Sequence, residues 1–133
     1  MRDALIVSTA RTPLTKSYRG TFNNTTAPTM AGWAIREAVK RSGVDPNKID
    51  DVIMGAALQQ GTTHANVARN AALAAGLPVT VSGMSLDRQC SSGMMAISTA
   101  AKQIISDGMG VVVGGGLDSI SLVQTQKMNL DRY

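Results

Sequence analysis

Apolar residues follow two rhythms along this chain. Short blocks with strand character occur at residues 4–7, 51–55, 81–86 and 109–113. Between them run longer stretches whose apolar positions recur at helical spacing. In the stretch 30–41, Ala31, Ala34, Ile35, Ala38 and Val39 fall on one helix face, Thr29 is a candidate N-cap, and Ser42-Gly43 supplies a left-handed stop. A shorter helix is predicted over 66–75 and is stopped by Gly76-Leu77-Pro78. A longer one is predicted from Ser92 to about Ser106 and ends at Asp107-Gly108. The punctuation agrees with this division. Pro13 cannot continue the first strand, Gly83 weakens the third, and Gly114-Gly115-Gly116 reads as the end of the fourth. Residues 16–27, 45–49 and 56–64 read as loops and connectors, and 121–133 carry no stop signal that marks a domain boundary.

Strands that alternate with helices predict an α/β fold: a mostly parallel sheet flanked by helices, joined by right-handed crossovers. In such sheets ligands sit outside the carboxyl ends of the strands. The 133 residues suit one domain, taken as 1–133, with no internal repeat and no low-complexity segment. With 44% hydrophobic but only 3% aromatic residues, the core must be built from Val, Ile, Leu, Met and Ala.

Charge and cysteine usage exclude several classes of function. The net charge is +4, and the basic residues are scattered without a block or an aromatic ladder, so no nucleic-acid partner is expected. The single cysteine cannot form an intramolecular disulfide, and with one histidine no His/Cys zinc cluster can assemble within the chain. No apolar run approaches a membrane span, and the first seven residues are too short for a signal peptide. The expectation is a soluble, cytoplasmic protein in a reducing compartment.

The candidate chemistry centres on Asp87-Arg88-Gln89-Cys90-Ser91-Ser92-Gly93. Cys90 lies between a strand and a helix, beside the unpaired amides that begin the helix, where negative charge on sulfur is favoured. It is a candidate acyl-accepting nucleophile. The alternative is that Cys90 is a small buried hydrophobe. Arg88 and Asp87 flank it with opposed electrostatic effects. His64 is a possible base, although its Gly/Thr loop suits an exposed or structural histidine. Gly114-Gly115-Gly116 lacks the spacing and the lysine of a phosphate loop, which leaves tight packing or close backbone approach. Met84, Met94 and Met95 read as core or pocket filling. An α/β-hydrolase elbow is excluded, because it needs glycine where Arg88 stands.

These residues resemble the thiolases, the acyl-CoA acyltransferases. Asp-Arg-Gln-Cys-Ser-Ser-Gly around Cys90 is similar to their nucleophile signature. Ala10-Arg11-Thr12-Pro13, Arg69 through Pro78, and Val112 through Ser121 are similar to further family segments in the same order, so the likeness spans essentially the whole chain. Asp87 stands where many members have Asn, and Asp118 where Glu is usual. The resemblance implies a layered thiolase-type fold, of which this chain is the N-terminal part of a duplicated unit. The fifth strand of this half is not found. The family's second half carries a histidine, an asparagine and a second cysteine in Gly-His-Pro, Asn-Glu-Ala-Phe and Cys-x-Gly segments, none of which occurs here.

The resemblance further implies thiolytic cleavage of 3-ketoacyl-CoA, or the reverse condensation, through an acyl-Cys90 thioester. The Cys90 amide would act as an oxyanion donor, coenzyme A would be the co-substrate, and no resident cofactor is expected. It also implies a homodimer or homotetramer, completion of the site by the missing half, and a chain inactive by itself. Lys16 through Phe22 leans toward degradative members that act in fatty-acid β-oxidation. A ketoacyl-synthase-like condensing enzyme and a noncatalytic assembly module of the same fold are the alternatives.

Overall fold

A computed structural model describes residues 2–124. The sheet has three parallel strands: β1 (Asp51–Gly55), β2 (Ser82–Leu86) and β3 (Val112–Gly116), in the order β2-β1-β3. Four α-helices accompany it: α1 (Ala27–Ser42), α2 (Val67–Ala75), α3 (Ser92–Ser106) and the single turn α4 (Ile120–Val123). The α/β class with a small parallel sheet flanked by helices is as the alternating pattern implies.

β1 is the centre of the molecule. All five of its residues are buried, and its side chains alternate between two cores. Val52 and Met54 face a core built with Ala31 and Ile35 of α1 and Ala68, Ala71, Ala72 and Ala75 of α2. Ile53 faces Ala96 and Ala100 of α3. The result is a helix–sheet–helix sandwich, which is why Val52, Ile53 and Met54 form an unbroken apolar run within β1. The small residues allow close approach. A β-carbon on Gly32 of α1 would lie 3.0 Å from backbone atoms of Ala74 and Ala75. The α1–α2 pair is also stitched by Arg36, whose guanidinium donates to the carbonyls of Ala74 (2.8 Å) and Ala75 (3.1 Å) at the end of α2.

Four expectations are corrected. Residues 4–7 form no strand, and Leu5, Ile6 and Val7 are 77%, 79% and 68% exposed. A strand exists through its ladder, and β1 already has a neighbour on each side. The described parallel sheet therefore has three strands rather than four. Second, β3 begins at Val112 rather than Met109 and contains Gly114, Gly115 and Gly116 instead of stopping before them. Third, α1 starts at Ala27 rather than Met30. Its N-cap is Thr26, without a side-chain cap bond, and Pro28 is accommodated in the first turn. Fourth, Met84 and Met94 are not core residues: they are 37% and 76% exposed. Residues 125–133 lie outside the described residues. No helix among the described residues is long and apolar enough to cross a membrane.

Candidate active site

The register of the sheet aligns the carboxyl ends of all three strands. Gly55 pairs with Leu86 on one side and with Gly116 on the other. The chain leaves each strand through a tight exit: the Ala56 amide donates to the Leu86 carbonyl (3.0 Å), and the Leu117 amide to the Gly55 carbonyl (3.0 Å). A cavity of about 350 Å³ opens at this edge, and Gly55, Gln89, Cys90, Ser92, Gly116 and Asp118 line it. Leu14, 85% exposed, forms its outer wall.

Cys90 enters this cavity on a turn that is fixed from several directions. The Asp87 Oδ1 accepts from the Gln89 amide at 2.8 Å, an Asx-type bond that starts the turn. An asparagine carbonyl oxygen would serve equally, so Asp87 in place of Asn leaves this geometry intact. Gln89 then adopts φ 53°, a left-handed conformation that an L residue rarely takes. The amides of Ser91 and Ser92 close back onto the carbonyls of Arg88 (3.2 Å) and Gln89 (3.0 Å). Ser92, only 2% exposed, locks the arrangement. Its hydroxyl accepts from the Arg88 amide at 2.7 Å and donates to the Gln89 carbonyl at 2.6 Å. Helix α3 begins at that residue, two positions after the thiol.

Cys90 is exposed and unpaired. It is therefore not the small buried hydrophobe that a lone cysteine often is. His64 is also exposed, but it does not line the Cys90 cavity, so the structure does not bring the two together.

The glycines explain how α3 comes so close to the strand ends. A β-carbon on Gly55 would collide with the backbone of Ser92, and one on Gly116 would lie 2.7 Å from the Gly93 Cα. On Gly114 it would lie 2.9 Å from the Ile97 Cα. Glycine in these strands is what lets the first turn of α3, and with it Cys90, rest directly on the sheet.

Sequence reasoning noted Asp118 only as a departure from a family pattern. In the structure its Oδ1 accepts from the Ala57 amide at 3.1 Å, and it lines both the Cys90 cavity and a smaller neighbour of about 100 Å³. Partial burial pushes its carboxyl above the ordinary carboxylate range. The Ala57 and Leu58 amides pull it back, and the nearby Asp87 charge adds to the rise. Its position two residues beyond β3, where α/β sheets place ligands, was the available signal. Among the described residues no cluster of three or more metal-ligating side chains occurs.

Residues 4–132 match the family described as thiolase, N-terminal domain. The chain belongs to the thiolase family. It is 37% identical over 123 residues to a 3-ketoacyl-CoA thiolase of Bacillus subtilis, covering 92% of this chain and 32% of that one. It is 39% identical over 121 residues to an acetyl-CoA acetyltransferase of Cupriavidus necator, covering 91% and 30%. The fold superimposes on the crystal structure of the Bacillus anthracis acetyl-CoA acetyltransferase with a TM-score of 0.84 and 45% identity, covering 91% of this chain and 30% of that one. This thiolase chain thus spans about a third of the length of these relatives.

Proposed function

We propose that this chain carries the acyl-accepting cysteine of a thiolase, and that Cys90 is that residue. The observation that supports the reading is an exposed thiol on a locked turn, at the mouth of a cavity where three strands end. In the degradative direction the Cys90 thiolate adds to the keto carbon of a 3-ketoacyl-CoA. The tetrahedral alkoxide collapses, the carbon–carbon bond breaks, and its electron pair leaves with acetyl-CoA, which takes up a proton. The thiol of coenzyme A then displaces the shortened acyl group and returns the proton and the free sulfur to Cys90. Two steps through a thioester replace one harder step. The Cys90 amide at the start of α3 suits the developing oxyanion.

The His and second Cys that the family uses for proton transfer do not occur in this sequence, so the complete cycle needs a further chain segment or partner. The outer face of α3 fits such a requirement. Met94, Ile97 and Ile105 are 76%, 47% and 38% exposed on it. We take a homo-oligomer, a cytoplasmic setting and a role in fatty-acid β-oxidation as parts of the same proposal.

Mass spectrometry of the full chain after incubation with acetyl-CoA tests it. The expected result is one acetyl group on Cys90, absent in Cys90→Ala, with little or no thiolysis turnover. Iodoacetamide labelling of Cys90 without any acetyl transfer would refute the reading, because the sulfur would then be accessible but unreactive toward the thioester. Steady turnover by this chain alone would refute the need for a partner segment.

A further inference from the structure

The carboxylate of Asp118 is the one titratable side chain among the described residues that shares the Cys90 cavity and also bonds to a neighbouring strand exit. It stands just past β3, and its bond reaches Ala57, just past β1. Gly55, two residues before Ala57, is in turn pressed against Ser92 and Gly93. Ser92 holds the Cys90 turn through its two hydroxyl bonds. A continuous path therefore runs from the Asp118 carboxylate through the β1 exit to the first turn of α3 and the thiol.

We propose that Asp118 is a positioning residue for Cys90: its carboxylate ties the exit of β3 to the exit of β1 and so fixes the floor on which the Cys90 turn sits. The inference rests on the thiolase reading of Cys90 and adds a residue to it.

The charge state of Asp118 tunes this tie. A carboxylate is a stronger acceptor for the Ala57 amide than a carboxylic acid. Protonation therefore loosens the 56–60 loop. The groups packed around Asp118 make it the titrating member. Residues 56–60 bring backbone amides and neutral side chains, and the wall residue Leu14 is apolar. The 87–93 turn brings the Asp87 charge and the Cys90 thiol.

Three variants of the full chain test this: Asp118→Ala, Asp118→Asn and Asp118→Glu. The first readout is the rate of Cys90 modification by methyl methanethiosulfonate, which has no titrating group, followed across pH. The second is hydrogen exchange at the Ala57 amide. Asp118→Ala should expose Ala57 to exchange roughly tenfold faster and shift the Cys90 rate several-fold. Asp118→Asn keeps an acceptor oxygen, so both values should return near wild type at neutral pH. Its rate profile should lack the acid-range inflection shown by wild type and by Asp118→Glu. Equal Cys90 rates in wild type and Asp118→Ala would overturn the proposal. So would an inflection that persists in Asp118→Asn, the measurement that decides if Asp118→Ala does not fold. Acetyl transfer from acetyl-CoA is scored separately. Its failure in wild type counts against the enzyme reading, whereas its success with rates indifferent to Asp118 counts against this inference alone.

Discussion

Gly55 and Ser92 touch backbone to backbone, with no space for a β-carbon between them. Gly55 ends the central strand, and Ser92 begins the helix that follows the thiol. The distance between strand and helix at the site is therefore set by the absence of one carbon atom. The atoms that a new β-carbon would meet are main-chain atoms of Ser92 and Gly93, so no side chain can rotate away.

Gly55→Ala should lower stability by about 1–3 kcal/mol, the usual range for forced overpacking. It should also disturb Cys90, because the displaced element is the first turn of α3. Urea denaturation measures the first effect and iodoacetamide labelling of Cys90 the second. A variant with wild-type stability would show that α3 can ride outward freely, and the tight-contact account of the site would fail.

Ser92→Ala removes a hydroxyl that is 2% exposed and bonded to both the Arg88 amide and the Gln89 carbonyl. The Arg88 amide loses its partner and the Gln89 carbonyl keeps only the Ser92 amide, at a cost of about 1–3 kcal/mol. The strained φ of Gln89 loses its restraint as well. Cys90 labelling should then become faster and less dependent on native structure. Ser92→Thr keeps the hydroxyl and should recover most of the loss in a thermal melt. If Ser92→Ala melts with wild type, the hydroxyl does not hold the turn.

The sequence made β1 legible because burial on both faces leaves Val52, Ile53 and Met54 as an unbroken apolar run between Asp51 and Gly55. The three longer helices were legible from their 3.6-residue spacing and from the left-handed stops at Gly43 and Gly76. The glycines of β3 were misread because glycine has poor strand propensity by itself. Its reason for being there is a tertiary one, the backbone of Ile97 and Gly93 lying on top of it. Residues 4–7 show the reverse error. Their apolar composition fits a strand, but no composition supplies a pairing partner. At the site, the place of Cys90 between a strand and a helix was legible. The bond from the Ala57 amide to Asp118 was not, because it depends on where β1 and β3 end relative to each other, which only the register discloses.

Met94→Glu tests the outer face of α3. At 76% exposure the change should leave the chain's own stability within about 0.5 kcal/mol. It should nevertheless weaken self-association or association with a completing segment, because it sets a charge among Ile97 and Ile105. Sedimentation velocity across a concentration series reads the difference. Identical behaviour of variant and wild type would remove this face as a partner surface.

Asp45 gives an acid-side test. Its Oδ1 accepts from the Asn47 amide (3.0 Å) and the Asn47 side chain (2.9 Å), and these bonds hold its carboxyl below the usual range, with Lys48 assisting. A depressed folded-state pKa means that the stabilisation is present above the ordinary carboxylate value and lost as pH falls through the folded value. Asp45→Ala should therefore be less stable than wild type at neutral pH, and the two should converge in strong acid. A gap that stays constant with pH would assign the effect to the turn's backbone preference rather than to the charge.

Asp118 must behave with the opposite sign. Loss of hydration raises its carboxyl, and Asp87 raises it further, while the Ala57 and Leu58 amides only partly compensate. The folded state therefore holds a proton more tightly than the unfolded chain does. Its favourable contribution is complete below the ordinary carboxylate pKa and is lost as pH rises through the higher folded value. Across that window Asp118→Asn should remove a downward slope in stability with rising pH, and above it the variant should be at least as stable as wild type. Chemical denaturation at closely spaced pH values measures this directly. The ionised side chain is thus a cost to the fold at neutral pH, and it is at the same time the better acceptor for the Ala57 amide. A residue selected for stability alone would be neutral there, so a neutral-pH gain in stability for Asp118→Asn, together with a lost inflection in Cys90 reactivity, would mark the charge as serving the site. If Asp118→Asn instead loses stability at neutral pH, the ionised carboxylate is a structural tie, and its selection needs no reference to Cys90.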